Sequence, residues 1–357
     1  MAHRLTPMIS GIRFCRRFSP SATVATTLRL LLAFILVFGF NQPVVAATLT
    51  SATQSELDHV LLWGHSIDQV TAIMAVKLGF QVRPGRDPNG VANRYVRFSD
   101  RSYVELEGIT RSNANMDPGM LADQSVLHGG PGARTFGLRS SALDQARSLL
   151  QRDGFTPTPI FSASRTDPDG GGPSRPPRWR LFAFERQPLT SNLFFIDYAP
   201  GNARPFSSAD DLVAREHPNS AHELSAVWLL STSADVDREQ LARLGYAQAK
   251  AILIPQISAR GYCVSVGAKG IFVLEPDGAG TAAETLRRGG SQILGLSIGV
   301  ADLGRAKRWA ERGYETTLAS YRGVLGDAFL APTQTDLGLL IEFHEMSNTA
   351  SGDVCGE

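Results

Sequence analysis

Leu57-Asp58-His59-Val60-Leu61-Leu62-Trp63 is a mostly apolar run of the length that suits a β-strand. Apolar residues then recur at helical spacing from Ser66 to Leu78, and Gly79 stands where a helix would end. Two more strand-like runs follow at residues 94–98 and 102–107. Residues 57–107 therefore predict a strand, a helix and about three further strands.

The same order recurs three more times along the chain, and the end of each predicted helix marks it. At each end a glycine, which permits the left-handed turn that closes a helix, precedes an aromatic residue that begins the next strand. Four such pairs, each following a helical segment, indicate an internal repeat. The pairs are Gly79-Phe80, Gly154-Phe155, Gly245-Tyr246 and Gly313-Tyr314.

The repeats predict an α+β fold, because every unit places one helix among several strands. Two consecutive units are expected to form each domain. The predicted segments are units 56–110 and 133–200 in a first domain (56–200), a linker at 201–220, units 221–278 and 291–346 in a second domain (221–346), and a polar tail at 347–357.

The first 47 residues have the composition of a signal peptide. They contain five arginines, no acidic residue, an apolar run from Leu30 to Phe40, and the small residues Val44-Val45-Ala46-Ala47 for cleavage. Eleven apolar residues are too few to span a bilayer comfortably, so we expect cleavage rather than a membrane anchor. The protein would then be periplasmic or secreted. Arg16-Arg17 leaves the route open between general secretion and twin-arginine export.

Charge and cysteine content narrow the partners of the mature chain. The sequence has 35 Lys and Arg against 34 Asp and Glu, so loss of the five leader arginines leaves 30 against 34. This mildly acidic balance offers no electrostatic basis for nucleic acid binding. Cys263 and Cys355 would remain, and they could pair in an oxidising compartment.

Four tandem strand-helix-three-strand units resemble the vicinal oxygen chelate superfamily, which includes glyoxalase I, extradiol dioxygenases and bleomycin-resistance proteins. In that superfamily two units pair into a curved sheet around a cleft, so four units imply two glyoxalase/dioxygenase-type domains. Unit order suggests that one pairs with two and three with four, and first-with-fourth pairing stays open. The resemblance is nearest to glyoxalase-like domain proteins, and it rests on Leu57-Asp58-His59-Val60, Gly90-Val91-Ala92-Asn93, residues 100–106 and His217-Pro218-Asn219.

The resemblance implies metal ligands on the first and last strands of a unit, facing the cleft. The first unit matches with His59 and Glu105, and Asp197 or Glu342 would be a third ligand. Glu107 shares a face with Glu105, so alternation leaves open which of the two is the ligand; with Glu105 as the ligand, Glu107 would move a proton. Such ligands suit zinc, iron, manganese or nickel with open positions for an oxygen-rich substrate. Residues expected at the substrate are Arg86, Asn89, Asn93, Tyr103 and Asn219.

Several of these residues could also have purely structural roles. His59 would be a strand histidine hydrogen-bonded to a carboxylate such as Glu105. His217-Pro218-Asn219 would be a turn, and Glu342 and His344 would face solvent. The function is then either that of a metal-dependent lyase, isomerase or dioxygenase, or that of a protein that sequesters a small molecule without converting it.

A different reaction class is suggested by the run Gly295-Leu296-Ser297-Ile298-Gly299. This run matches the nucleophile elbow of serine hydrolases, with His344 downstream as a conceivable base. That motif needs a sharp turn between a strand and a helix, whereas the repeat places Ser297 inside a strand. A serine hydrolase is therefore the less favoured class.

Overall fold

The structure is a computed structural model, and the predicted signal peptide lies outside the residues that it describes. None of the helices within the described ranges has the length and apolar character needed to cross a bilayer. The described residues are 55–85, 90–114, 116, 118–121, 123, 130–162, 177–198, 213, 215–346 and 354–355.

Each unit forms a strand, a helix and three further strands, which confirms the predicted fold class. The first unit contains β1 (Ser55–Trp63), α1 (Ile67–Ala72) continued by the π-helical turn Ile73–Lys77, β2 (Arg83–Pro84), β3 (Val91–Arg97) and β4 (Tyr103–Ile109). After α2 (Pro118–Leu121), the second unit contains β5 (Gly132–Ser140), α3 (Leu143–Arg152), β6 (Phe161–Ser162), β7 (Trp179–Phe182) and β8 (Asn192–Tyr198).

The third and fourth units follow the same order. The third contains β9 (Ala221–Leu230), α4 (Ala234–Arg243), β10 (Ala249–Ile254), the 3-10 turn Pro255–Ile257, β11 (Ala259–Val266) and β12 (Lys269–Pro276). After α5 (Thr281–Gly289), the fourth contains β13 (Gln292–Val300), α6 (Leu303–Tyr314), β14 (Ser320–Gly323), β15 (Gly326–Ala331), α7 (Gln334–Leu337) and β16 (Leu340–Glu345).

Strand pairing joins the units two by two. Within every unit the first strand lies parallel to the last, as β1 does to β4 and β13 to β16. The first strands of consecutive units then pair antiparallel, β1 with β5 and β9 with β13. Units 1 and 2 therefore share one sheet, here called domain 1, and units 3 and 4 share another, called domain 2. Between the described parts of the two sheets, the bridging pair is Ala133 with Ile293.

Three of the four glycine-aromatic pairs end their helices as predicted. Gly79, Gly154 and Gly245 have φ angles of 74°, 88° and 103°, in the left-handed region. The N–H of the aromatic residue that follows donates to a carbonyl in the last turn of the helix, as Phe155 does to Leu150 at 3.0 Å. This is the bond of a Schellman-type helix end.

The fourth prediction is wrong, because α6 runs through Gly313 to Tyr314 and is capped by Glu315. Glu315 takes the left-handed conformation at φ 49°, and Thr316 N–H makes the closing bond to Glu311. Gly313 has a different purpose: a Cβ there would lie 2.2 Å from the carbonyl oxygen of Lys77. Glycine at this position lets α6 of the fourth unit touch the helix of the first.

Other differences from the sequence-based elements lie in the second half of the chain. In the fourth unit, the second strand is at Ser320–Gly323, and the last strand begins at Leu340 after the short helix α7. Thr333 Oγ1 donates to the carbonyl of Leu339 at 2.7 Å, which folds this segment into a turn before the strand. Helix α5 was not predicted, because few apolar residues mark its buried side.

The end of the predicted linker is buried between the domains. Ser220, at φ 62°, donates its N–H to the carbonyl of His217, so His217-Pro218-Asn219 forms a turn. Asn219, predicted to contact substrate, is fully buried in this interface instead. Its side-chain amide donates to the carbonyl of Leu78 at 2.8 Å and thereby closes the helix of the first unit.

His217 makes the interface sensitive to acid. Its Nδ1 accepts the N–H of Gln81 and its Nε2–H donates to the carbonyl of Arg97, both at 2.9 Å, so the neutral ring is fully bonded. Burial lowers the pKa of His217 to about 4, while the Arg97 carbonyl raises it and the nearby charges of His222 and Arg215 lower it further. A second proton, on Nδ1, would point at the N–H of Gln81, which is itself a donor.

We therefore expect wild-type stability to fall, relative to a His217→Gln variant, as pH drops from about 6.5 to about 4. The unfolded histidine gains a proton over this range and the folded one does not. At about 1.4 kcal/mol per pKa unit, the relative loss is roughly 3 kcal/mol. Urea unfolding of both proteins across this pH range measures it, and curves that stay parallel would contradict the assignment. Taking the difference between the two proteins cancels the contribution of every other titrating group.

Candidate functional site

One face of the domain 1 sheet packs on a large apolar core, and the predicted site lies on the opposite face. Val60 and Leu62 belong to that core, so His59 on the same strand points to the opposite face, here called the cleft face. In the parallel pairing of β1 with β4, His59 is level with Tyr103 and Leu61 with Glu105. The structure thus brings His59, Tyr103 and Glu105 together, as predicted.

Asp58 joins these residues because β1 carries one extra residue. Leu57 pairs with Leu138 and His59 pairs with Gly137, so Asp58 has no partner in β5. Such a bulge breaks the alternation that would place Asp58 on the opposite face from His59. Asp58 Oδ2 accepts the Nδ1–H of His59 at 2.8 Å, and both side chains are buried. Sequence periodicity alone had given Asp58 no role.

The ring of His59 is held on every side. It stacks on Tyr103 with centroids 4.2 Å apart and meets Phe194 edge-on at 5.1 Å. Its Nε2 lies 3.7 Å from Glu105 Oε2, which is longer than a hydrogen bond. Gly137 makes room for this packing, since a Cβ there would lie 2.7 Å from the Phe194 ring. Asp58 therefore fixes the ring through Nδ1 and leaves Nε2 directed toward Glu105.

Two tyrosines complete the surroundings of Asp58. Tyr198 O–H donates to Asp58 Oδ2 at 2.7 Å, and the hydroxyls of Tyr103 and Tyr198 lie 3.2 Å apart. Burial raises the pKa of both tyrosines well above the ordinary value, and the neighbouring carboxylates add to this. Both phenols therefore stay protonated and act as donors. Arg139 Nη1, 3.4 Å from Asp58 Oδ1, balances the charge of the buried carboxylate.

Of the other predicted site residues, Asn93 and Glu107 lie close to Glu105. Asn93 donates to Glu105 Oε1 at 3.0 Å and to Tyr95 Oη at 2.9 Å, so it orients Glu105. Glu107 shares the cleft face, two positions beyond Glu105, and is fully buried level with Trp63. Of the two carboxylates, Glu105 is the one near His59. Arg86 and Asn89 lie outside the described residues.

The metal ions that the resemblance implies need at least three convergent ligands. Among the described residues, no cluster of three His, Cys, Asp or Glu side chains has a suitable arrangement. The repeat explains why: β5 carries Thr135 where β1 has His59, and β8 carries Phe194 where β4 has Glu105, by the matching strand registers. The described residues do not bring together the three ligands that the resemblance implies, so a bound metal stays a prediction.

The two proposed third ligands lie elsewhere. Asp197 points to the other face of β8, where its carboxylate accepts a bond from Arg180 at 2.8 Å. Asp197 alternates with the residues of the cleft face, and sequence reasoning had no register with which to place it.

Glu342 lies in domain 2, in its own bonded network. Its two oxygens accept Ser297 Oγ–H at 2.9 Å and Tyr321 O–H at 2.5 Å, and Trp228 donates to Ser297 at 2.8 Å. Burial raises the pKa of Glu342.

Two sequence-based interpretations in this part of the chain are settled by burial and position. Glu342 and His344 are buried, so their expected exposure to solvent is wrong. Ser297 lies inside β13, in agreement with the argument against a nucleophile elbow.

Comparisons with known proteins agree with this architecture. A structure of a 4-hydroxymandelate synthase mutant from Streptomyces coelicolor is similar at TM-score 0.54 and 12% identity, covering 84% of this chain and 95% of that one. A hypothetical protein from Staphylococcus aureus is similar at TM-score 0.50 and 11% identity, covering 82% and 100%. A catechol 2,3-dioxygenase structure has TM-score 0.48 and 14% identity, covering 82% and 88%. At these identities the likeness concerns the fold.

Sequence comparison identifies the family. No curated protein sequence matches the chain. A family model described as a glyoxalase-like domain matches residues 57–245, which are 189 of the 357 residues. This match covers all of domain 1 and reaches the helix of the third unit. The chain therefore belongs to the glyoxalase-like domain family, within the vicinal oxygen chelate superfamily.

Proposed function

We propose that the protein is an exported enzyme that binds a small oxygen-bearing molecule in the domain 1 cleft and moves a proton with His59. The observation that carries this proposal is the Asp58–His59–Glu105 arrangement on the cleft face. The Cys263–Cys355 disulfide supports the export part, because disulfides persist in oxidising compartments. The reaction class is that of an isomerase or lyase that works by acid–base chemistry.

His59 has the properties of a general base. Asp58 accepts the Nδ1–H, so in the neutral ring Nε2 carries the free electron pair. The same carboxylate stabilises the imidazolium that forms when Nε2 takes up a proton. Stacking on Tyr103 and the edge contact with Phe194 restrict ring rotation, so the basic nitrogen has one direction. The fixed orientation of the ring therefore supports His59 as the general base.

Glu105 supplies a second group at the same point. Asn93 donates to one carboxylate oxygen, and the other lies 3.7 Å from His59 Nε2. A substrate group that reaches this point would meet both side chains. Histidine and glutamate together suit removal of a proton from carbon next to a carbonyl. Nε2 takes the proton while the C–H electron pair becomes the C=C bond of an enolate and the carbonyl π pair moves onto oxygen; the reverse movement returns the proton to carbon.

Solvent exchange tests this proposal without a known product. Small 2-oxo acids and hydroxyketones are incubated with the protein in D2O, and loss of the proton next to the carbonyl is followed by NMR. We expect faster exchange for at least one compound, and a loss of roughly 100-fold or more in His59→Gln. Asp58→Asn is expected to fall between the two, because the base remains but loses its orienting acceptor.

Exposed His222 provides the matched control, since His222→Gln changes the same chemical group outside the cleft. The same preparations are analysed for divalent metal. Equal exchange by wild type and His59→Gln would contradict the proposal, as would exchange that depends on a bound metal. Ligand binding without any exchange would support the sequestering function in its place.

A further inference from the structure

Part of the connection between units 1 and 2 is described at the cleft face of domain 1. Its described inner part is α2 (Pro118–Leu121) together with Asp123, and we call these residues the strap. Helix α2 lies against β7 and β8, the two strands of the second unit that line this face. The strap therefore occupies the half of the cleft that the second unit provides, beside the half that carries His59 and Glu105.

Asp123 anchors one end of the strap. Its carboxylate accepts Trp63 Nε1–H at 2.8 Å, Thr135 Oγ1–H at 2.6 Å and Asn192 Nδ2–H at 3.4 Å. These donors come from β1, β5 and β8, so one buried side chain ties the strap to three strands. Burial raises the pKa of Asp123 to about 6, against the lowering effect of the three bonds. The charged acceptor form is thus present at neutral pH.

Met120 fastens the strap through apolar contact. It packs on a separate apolar cluster of the cleft face, together with the partly buried Trp179 and Tyr198. Leu121, the next residue of the same helix, is 53% exposed. The cluster, here called the apolar patch, consists of Leu61, Leu181, Ala183, Phe194 and Ile196.

We propose that the strap sets the size of the ligand by covering the apolar patch, so that Met120 and Asp123 are specificity-determining residues. This inference rests on the proposed function of the same cleft. With the strap over the patch, the first unit offers a ligand the polar side chains Glu105 and Asn93 near His59. The matching ligand is a compact, oxygen-bearing molecule. A ligand with a large aromatic or alkyl part would need the patch that Met120 covers.

The dye 8-anilinonaphthalene-1-sulfonate is a suitable probe, because it is aromatic and becomes fluorescent when it binds to an apolar surface. Binding is titrated to wild type, Met120→Ala, Asp123→Asn and the matched control Leu121→Ala. We expect roughly tenfold tighter binding in Met120→Ala and Asp123→Asn, since strap and dye compete for one patch. Binding to Leu121→Ala should equal that to wild type.

Near-ultraviolet circular dichroism and thermal unfolding confirm that each variant is folded. Asp123→Asn preserves the size of the side chain and one acceptor oxygen, so it complements the truncation at Met120. Equal dye binding by all four proteins would overturn the proposal, as would an equal increase in Leu121→Ala. If the strap variants bind the dye more tightly but no protein exchanges the proton next to a carbonyl, the strap proposal is supported and the proposed acid–base function is contradicted.

Discussion

Cys355→Ala is expected to lower the free energy of unfolding by about 4 kcal/mol. The disulfide joins Cys263, fully buried in β11, to Cys355 near the end of the chain, across a sequence separation of 92 residues. A crosslink that closes so long a loop removes much of the conformational freedom of the unfolded chain. Guanidinium unfolding under non-reducing conditions compares the variant with wild type.

Reductant supplies the control for this experiment. Wild type in dithiothreitol should fall to the stability of Cys355→Ala, and the variant should not change. If the variant unfolds at the same denaturant concentration as oxidised wild type, the crosslink does not constrain the unfolded chain as described. The partner thiol, Cys263, is less suitable for substitution because it packs in an apolar cluster of domain 2.

Gly313→Ala is expected to cost about 3 kcal/mol of folding free energy, the upper part of the usual range for overpacking. The added methyl would lie 2.2 Å from the carbonyl oxygen and 2.4 Å from the Cα of Lys77. Backbone atoms cannot swing aside as side chains do, so α6 and the helix of the first unit would have to separate. The Lys77–Asp336 ion pair, at 2.7 Å, lies in the same contact. Urea unfolding measures the loss.

Gly304→Ala on the same helix is the matched control. Gly304 is exposed in the first turn of α6, where a Cβ would meet only the movable side chains of Arg308 and Asp302. Alanine has the better helix propensity, so this variant should be as stable as wild type or more stable by up to about 1 kcal/mol. A loss in Gly304→Ala equal to that in Gly313→Ala would show that helix contact is not the cause.

Much of the fold could be predicted because each repeat is marked by short sequence patterns. Apolar runs mark the first strands, and glycine followed by an aromatic residue marks three of the helix ends, as at Gly154. Gly313 follows the same pattern for a different physical reason, close helix contact, which only tertiary structure shows. Local pattern also missed α5, which has little apolar surface to reveal it.

Less of the site could be predicted, because it depends on register. His59 and Glu105 were identified from their strands and do lie together. Asp58 required a bulge that alternation cannot reveal, and Phe194 required the pairing of β5 with β8. Asp123 lies in an irregular connection, where no periodicity indicates that its carboxylate reaches back to Trp63. Each missed residue is placed by pairing between distant segments.

The shared core of the two domains determines how the molecule can move. One apolar cluster contains residues of all four units, among them Leu62, Leu150, Leu241 and Phe343. Polar contacts, such as that of Lys269 with Asp100, cross the same interface. A hinge rotation would expose this cluster to water, at a cost proportional to the apolar area uncovered. Burial of this cluster therefore opposes rotation of one sheet against the other.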